Sequence, residues 1–575
     1  METDYSALPL LAVLLPMATA AAVVALRARP NLRETATVVG ALLTFGVVLA
    51  MLPAMLDGRP HTIAAGELVP GVAPSLRADG FGMVFALSAS FLWILASFYA
   101  VGYLRGEGAK KQTRFYASFA LCLASTFGLA FAGDLLTFFA FYELLTVATY
   151  PLVVHKENAE ARAAGRKYLA YLLSGGVALL AGTTVVYAST GALTFAPGGF
   201  AADALGPVAL PVVFVLMAVG FGTKSGIMPL HAWLPSAMVA PTPVSALLHA
   251  VAVVKAGVFG FGRAIGFVLG PEPLADVGVT FYLGVLAAAT IVIASLIALR
   301  QDNLKRRLAF STIAHLSYIV LGMSILSAVA WEGALLHIVN HAALKITLFF
   351  AAGAIHIHLH LDRVSELDGV GWKMPFTMSA FAVASVGLAA LPPMGGFVSK
   401  LFLVQGAFEA GDVVFGLVLV GSGLFTAGYL FPIVHRAFFR APHPAPEHVH
   451  AGGHVPEAHA PEAQAPEAHA PAPDAYTTAG TDPAGTHPAG TDPAGAEPDR
   501  SADPHAGAEH DQSPTGDDDA HGQEHHEPAG IDASPLMVAP LVITALVGLA
   551  LGLGDVLGVG GIAAGVADAV MGGAP

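Results

Sequence analysis

The stretch Val219-Gly-Phe-Gly-Thr-Lys-Ser-Gly-Ile-Met-Pro-Leu-His-Ala-Trp-Leu-Pro235 lies inside a long apolar region of the chain. It places Lys224 among residues that hydrocarbon should surround, and Pro229 and Pro235 then interrupt the helix. A charge at the bilayer centre costs about 2.5–3.5 kcal/mol on insertion scales, so it persists only where it faces protein or water. Transport proteins use broken helices of this kind at mid-depth to hold ions. The stretch therefore predicts ion movement across a membrane.

The composition is typical of a protein with many membrane spans. The 575 residues are 55% hydrophobic and 12% charged, and the mean hydropathy is +0.67, whereas soluble proteins carry about 25% charged residues. The single cysteine, Cys122, excludes a disulfide framework and a cysteine metal site. No flavin, iron–sulfur, haem or nucleotide motif is present, so we expect no cofactor and no redox catalysis by this chain alone.

The apolar runs predict an all-α polytopic membrane protein. Because a hydrocarbon core needs about 20 apolar residues per helix, we expect about fourteen transmembrane helices, of which the seventh and twelfth are broken. The predicted spans lie near 6–26, 35–56, 80–104, 115–132, 135–154, 168–190, 209–232, 241–265, 279–299, 308–328, 332–357, 375–406, 413–437 and 535–555. The expected regions are N-terminal helices (1–79), a membrane core (80–440), a polar loop (441–533), and a last helix with its tail (534–575).

Basic residues set the expected orientation. They cluster after the first, third, fifth, ninth and eleventh spans, whereas the intervening loops hold mainly acidic residues. Since cytoplasmic loops carry the excess of lysine and arginine, we expect the odd-numbered loops in the cytoplasm and both termini outside a bacterial inner membrane. The first apolar run starts with acidic residues and lacks a clear cleavage site, so we interpret it as a span.

One polar segment accounts for the formal net charge of −14. Residues 441–532 contain 18 acidic side chains, one basic side chain and twelve histidines, and they repeat short Pro-, Ala- and Gly-rich units. With few large apolar residues the segment cannot bury a core, so we expect a disordered cytoplasmic loop. Weak metal binding or proton buffering by its histidines is one interpretation, and an insertion without a transport role is the interpretation we favour.

Glu143 is a second ionisable residue at membrane depth, in the fifth span. Burial disfavours the charged form of a lysine and a nearby carboxylate favours it. If Glu143 pairs with Lys224, a change in their distance would load or release a proton. A static ion pair that only fixes helix packing is the alternative.

Histidines and lysines recur in the later spans. The eighth span carries His249 and Lys255, each of which could line a central water path, and the eleventh reads His337-x3-His341-x3-Lys345. A spacing of four places these three on one stripe of a helix. Neutral histidines exchange protons near physiological pH, and no third metal ligand accompanies them. The pattern therefore favours a proton relay without a metal, which His315 in the tenth span would extend.

The twelfth span breaks at Leu391-Pro-Pro-Met-Gly-Gly-Phe-Val-Ser-Lys400, which repeats the pattern of a broken helix with a buried lysine. Two such segments in corresponding parts of a chain indicate internal repeats. We expect spans 4–8 and 9–13 to form the two repeats. His231, at the end of the other break, is either a residue at a channel mouth or a group that caps freed backbone.

These motifs, in this order, resemble the antiporter-like subunits of respiratory complex I, of Mrp-type cation/proton antiporters and of membrane-bound hydrogenases. The resemblance covers about residues 80–440 and also includes Ala-Pro-Thr-Pro-Val-Ser-Ala-Leu-Leu-His249. It implies a fold of fourteen helices with two inverted five-helix repeats and partner membrane subunits. It also implies roles: Glu143 and Lys224 as the paired residues, Lys255 or His249 as the connection, Lys400 as the outlet, and a bridge between half-channels formed by His337, His341 and Lys345.

The lysine at position 400 and the overall length resemble those of the D-type subunit of Mrp antiporters. The resemblance therefore implies an ion-translocating subunit of a Na+/H+ antiporter that moves protons along buried Glu, Lys and His side chains. A proton-pumping subunit of NADH:quinone oxidoreductase or of a hydrogenase-type complex is the alternative. A structural membrane subunit without its own ion path is a third possibility.

Deleting residues 445–530 tests the interpretation of the polar loop. We expect ion transport by membrane vesicles to remain at the level of the full chain, because low-complexity sequence of this kind contributes no packed core. Replacement of the segment by a glycine–serine linker of equal length serves as the control for loop length. Lost transport at normal protein level in both variants would contradict the interpretation.

Overall fold

The computed structural model describes residues 4–441 and 532–572. The chain divides into one unit formed by Met1–His443 and Pro528–Pro575 and a second unit, Pro444–Glu527. The described residues belong to the first unit. The loop predicted over 441–533 lies almost entirely outside them.

The described residues are mainly helical. The first half contains α1 (Leu8–Ala25), α2 (Pro30–Leu56), α3 (Gly80–Gly106), α4 (Gln112–Ala130), α5 (Leu135–Val153), α6 (Ala159–Thr190), α7 (Ala202–Ser225), α8 (Trp233–Ser236), α9 (Thr242–Ala246) and α10 (Val253–Arg263). The second half contains α11 (Pro271–Asp276), α12 (Val279–Arg300), α13 (Leu304–Ser324), α14 (Ala328–Leu359), α15 (Val370–Lys373), α16 (Pro375–Leu388), α17 (Gly395–Glu409), α18 (Val413–Phe439), α19 (Pro535–Leu553) and α20 (Val559–Val570).

The predicted polytopic helical fold is confirmed. Within the described residues, eleven helices are long and apolar enough to cross a membrane. The other predicted spans, 115–132, 308–328 and 375–406, are helical as α4, α13 and the pair α16 and α17. The division into two inverted repeats stays a prediction.

Both predicted breaks are present. The helix α7 ends at Ser225, one residue after Lys224, and Gly226 continues with a φ of 72°, a left-handed conformation that favours glycine because it has no Cβ. The twelfth span stops at Leu388 and resumes at Gly395, on either side of the two prolines. Each break follows from residues that cannot continue a helix.

The eighth span has irregular turns that its sequence did not predict. Between Thr242 and Leu269 two π-helical turns, Leu247–Val251 and Ala264–Leu269, flank α10. A π turn inserts an extra residue into the helical repeat and often occurs at functional sites. His249 lies in the first of these turns.

A small sheet and the last helix lie outside the fourteen-span prediction. A three-stranded sheet, β1 (Asp4–Tyr5), β2 (His61–Ala64) and β3 (Ser75–Arg77), has the order β1-β2-β3, with β1 and β2 parallel and β2 and β3 antiparallel. After the last span, α20 packs against α3 and α14. A Cβ on Gly80 would approach Val566 to 2.8 Å, so this part of the predicted tail belongs to the packed bundle.

Two segments occupy the centre of the bundle. Over their most apolar 18 residues, Thr242–Leu269 and Ala328–Leu359 are 100% buried, compared with 33% for Pro30–Leu56 and for Pro535–Leu553. Most of the predicted ionisable residues lie on these two central segments. The outer helices therefore shield them from lipid.

Close contact between α7 and α10 depends on Gly257. A Cβ at this position would lie 2.4 Å from the Ser225 backbone nitrogen and 2.7 Å from the Phe221 carbonyl oxygen. Backbone atoms cannot move aside as a flexible side chain can. The glycine therefore sets how near α10 comes to the end of α7 that carries Lys224.

We expect Gly257→Ala to lower the free energy of unfolding by about 1–3 kcal/mol, because overpacking forces helices apart. A lower midpoint of thermal unfolding in detergent would measure this loss. Gly46→Ala in α2 is the control, since no atom lies within 4 Å of a Cβ there. Equal thermal stability of the two variants would contradict the assignment.

Candidate functional site

Lys224 lies fully buried in the last turn of α7. Its Nζ donates a hydrogen bond to the backbone carbonyl of Tyr142 on α5 and sits 3.3 Å from the centroid of the Tyr142 ring. The Tyr142 hydroxyl in turn donates to the Gly220 carbonyl at 2.8 Å. A carbonyl and an aromatic face both stabilise an ammonium group that has left water.

Glu143 and Lys224, which we predicted to pair, make no direct ion-pair contact in the described part of the chain, but they lie near enough for their charges to interact. The Glu143 carboxylate is partly exposed and lies beside α6, where a Cβ on Gly176 would come within 2.4 Å of Oε1. That oxygen has no hydrogen-bond partner among the described residues. Adjacent helical positions point about 100° apart, so when Lys224 contacts Tyr142 the neighbouring carboxylate faces elsewhere.

Lys255 connects the two central segments. Its Nζ lies 2.9 Å from His341 Nδ1, and both residues are at most 1% exposed. The contact joins α10 to the predicted histidine stripe of α14. It also lies two residues from Gly257, where α10 meets the backbone around Lys224.

Three histidines form a compact cluster. His315 Nδ1 lies 3.2 Å from His337 Nε2, and the His315 and His341 ring centroids are 5.6 Å apart. His337 Nδ1 lies 2.9 Å from the Ser399 hydroxyl on α17. The structure thus brings His315 into the stripe, as predicted, and continues it to the second half of the twelfth span.

Lys400 follows Ser399 and is buried, with 6% of its surface exposed. Its Nζ has no hydrogen-bond partner among the described residues and lies 5.0 Å from the centroid of the Tyr318 ring. Each broken helix therefore brings its lysine over a tyrosine ring, Tyr142 or Tyr318.

The remaining predicted residues have other surroundings. Lys345 donates from Nζ to the Ser311 hydroxyl on α13 at 2.7 Å. Both ring nitrogens of buried His249 lack a partner in the described part of the chain, and its ring centroid lies 5.0 Å from that of Phe349. His231 is partly exposed, and its ring centroid lies 6.2 Å from that of Phe310.

A polar cavity of about 300 Å³ lies between the start of α6, the start of α13 and the end of α14. Its charged lining consists of Lys156, Glu160, Lys305, Arg306, His356 and Asp362. His356 Nδ1 lies 3.0 Å from Asp362 Oδ1, and that hydrogen bond lowers the pKa of the Asp362 carboxyl. The predicted topology places this cavity at the cytoplasmic face.

The hydroxyl and carbonyl partners of the lysines were missed by sequence reasoning. Tyr142, Ser311, Tyr318 and Ser399 each contact a predicted residue, yet single polar residues are common in membrane helices. A search for hydroxyl residues one helical turn or less from a buried charge would have marked Tyr142 and Ser399.

A family model described as "NADH:quinone oxidoreductase/Mrp antiporter, TM" matches residues 132–426, which include every predicted site residue. The chain belongs to this family. It is a multi-pass membrane protein related to Mrp antiporter and complex I subunits, as the motifs predicted.

Individual relatives come from both branches of the family. NADH-quinone oxidoreductase subunit N of Desulforudis audaxviator is 34% identical over 442 residues, which cover 75% of this chain and 87% of the relative. A probable K(+)/H(+) antiporter protein of Rhizobium meliloti, its A/B subunit, is 32% identical over 420 residues, 70% of this chain but 41% of that protein. The solved Mrp complex from Dietzia sp. DQ12-45-1b contains a chain of the same fold, with a TM-score of 0.77, 22% identity and coverage of 99% and 97%.

Replacing Lys255 separates a functional lysine from a structural one. We expect Lys255→Met to abolish proton translocation while the midpoint of thermal unfolding stays level or rises, because an apolar side chain of similar length avoids the desolvation of a buried charge. Transport in vesicles and thermal unfolding in detergent measure the two effects. A clear loss of thermal stability with transport retained would show that the Lys255–His341 contact serves packing.

Proposed function

We propose that this chain is the proton-translocating subunit of a multisubunit membrane complex. The observation that carries the proposal is the buried row of contacts from Lys255 through His341, His315 and His337 to Ser399, beside Lys400. Imidazoles and amines can each accept and release a proton. A row of such groups gives a proton successive positions across the bundle.

In this proposal the protons enter from the polar cavity at the predicted cytoplasmic face. Lys224 holds a proton against the Tyr142 carbonyl and ring, and Glu143 adds a charge one residue away on α5. The close approach of α7 and α10 at Gly257 brings the Lys224 segment next to that of Lys255. The histidine cluster, together with Lys345 one helical turn beyond His341 on α14, then passes the proton to Lys400, the proposed outlet.

We further propose that the complex is an Mrp-type monovalent cation/proton antiporter in which this chain takes the place of the D-type subunit and Na+ is the exchanged cation. Support comes from the shared fold over nearly the whole length of the Mrp chain and from the identity with a probable K(+)/H(+) antiporter protein. The partners would be other membrane subunits of the antiporter in a bacterial inner membrane, with both termini of this chain outside.

A respiratory complex is the second candidate. The 34% identity to a subunit N of NADH-quinone oxidoreductase, over 87% of that relative, supports it. In that case electron transfer in partner subunits drives protons through the same residues. The two candidates differ in the source of energy and not in the buried row.

Lys224→Ala tests the proton path common to both candidates. We expect coupled ion movement to be abolished while the complex still assembles, because the variant removes an obligatory proton carrier. Inverted membrane vesicles with a fluorescent ΔpH indicator measure the movement. Lys110→Ala, which removes an exposed lysine, is the control, and wild-type transport by Lys224→Ala would overturn the assignment.

The same vesicles distinguish the candidates. In antiport, added NaCl dissipates a ΔpH generated by an independent proton pump, and a strain that lacks this chain loses the response. In the respiratory complex, NADH generates a ΔpH that the deletion strain does not build, and NaCl has no specific effect.

A further inference from the structure

Lys345 lies at the head of a set of buried hydroxyl groups, here called the hydroxyl array and consisting of Ser311, Tyr429 and Thr426. The Lys345 Nζ–Ser311 Oγ distance is 2.7 Å, Ser311 Oγ–Tyr429 OH is 2.9 Å, and Tyr429 OH–Thr426 Oγ1 is 3.1 Å. All four residues are fully buried. The array lies on α13 and α18, and Lys345 reaches it from α14.

The bond from Thr426 to a backbone carbonyl sets the direction of the hydrogen bonds in the array. Thr426 Oγ1 donates to the Ser422 carbonyl at 2.9 Å, and a hydroxyl has one proton to donate. Thr426 must therefore accept from Tyr429, and Tyr429 must accept from Ser311. Ser311 then has only lone pairs left for Lys345.

A chain of hydroxyls aligned in this way acts as an extended acceptor. Each donated hydrogen bond polarises the next, so the oxygen that faces the lysine becomes a better acceptor than an isolated serine. Hydrogen bonds to the charged form of a group favour that form. The array ends on a backbone carbonyl, which cannot pass a proton onward, so it does not form a through-path.

Within the residues that the structure describes, Lys345 has no carboxylate to serve the same purpose. Of the described helices around Lys345, α3, α10, α13, α16, α18 and α19 contain no Asp or Glu, and α17 has one only as its last residue. The helix α20 also packs against α14, but its Asp568 lies near Glu332, at the far end of α14. On α14 itself the acidic residue is Glu332, thirteen positions away, which is about 20 Å along a helix. The titratable groups that face Lys345 are cations or imidazoles: Lys255, His249, His315, His337 and His341.

We infer that the hydroxyl array replaces a counter-ion and holds Lys345 in its protonated form within the proton path. Ser311, Tyr429 and Thr426 are thus positioning residues that act through Lys345. The inference rests on the proposed function, since it assigns these hydroxyls a part in the same proton row.

Tyr429→Phe is the decisive variant, because it removes the central hydroxyl and leaves the Tyr429 carbonyl, to which Arg307 Nη1 donates at 3.0 Å. Without the array the charged form of Lys345 is less stable, so it loses its proton at lower pH. We expect the alkaline limb of the pH profile of proton translocation to move down by about one pH unit. The rate at low pH should remain that of the unaltered complex.

Variants of Thr426 test the far end of the array. Thr426→Val removes the hydroxyl without changing the side-chain shape, and it should shift the alkaline limb of the pH profile by less than Tyr429→Phe does. Thr426→Ser keeps a hydroxyl and should therefore keep the original pH profile. Tyr99→Phe and Thr347→Val are the controls, since each removes a buried hydroxyl that bonds elsewhere, to the Phe350 carbonyl and to Thr544. Both controls should keep the original pH profile.

Three results would overturn the inference: an unchanged profile in both Tyr429→Phe and Thr426→Val, an equal shift in the controls, or a uniform loss of rate at every pH. The last would mark Tyr429 as a relay. Lys224→Ala in the same vesicles separates the two proposals. If it abolishes translocation while Tyr429→Phe leaves the profile unchanged, only the role of the array falls.

Discussion

The cost of holding ammonium groups away from water is the constraint on which this structure depends. Lys224, Lys255, Lys345 and Lys400 are all buried at membrane depth. A bilayer offers an ammonium group no hydrogen-bond acceptor. The protein must therefore supply either an acceptor within hydrogen-bond distance or the face of an aromatic ring. The protein must also keep lipid away from these groups. The outer helices do so by surrounding the two central segments, Thr242–Leu269 and Ala328–Leu359.

The partners of the lysines are mostly neutral. Lys224 contacts a carbonyl and a ring, Lys255 an imidazole, and Lys345 a hydroxyl. A neutral partner stabilises an ammonium group less than a carboxylate does, so the proton is held without being trapped. That property suits a group that must both take up and release a proton, and it explains why stable ion pairs are absent from the described part of this row.

Family membership leaves the energy source open for a physical reason. Antiport and redox-driven pumping both need a row of groups that exchange protons, and the row proposed for this chain would serve either. The driving force for proton movement comes from partner subunits or from the gradient of a second ion. The similarity to subunit N and to a chain of the Mrp complex therefore does not decide between the two energy sources.

Composition and local pattern were enough to predict much of this protein. Apolar runs of the length of a bilayer predicted the helices, and the Pro- and Gly-rich segments around Lys224 and Lys400 predicted both breaks. The stripe of His337, His341 and Lys345 followed from a spacing of four. These features depend on residues near one another in the chain, which a single sequence displays directly.

Contacts between distant segments were decided only by the tertiary structure. The sequence suggested that Glu143 would meet Lys224, but in the fold the lysine contacts the carbonyl and ring of the neighbouring Tyr142. The π turn around His249, the packing of α20 and the alignment of hydroxyls behind Lys345 likewise depend on how helices pack. Sequence periodicity determines which residues share a face of one helix, whereas the rotation and separation of two helices are set by side-chain packing and close glycine contacts such as Gly257.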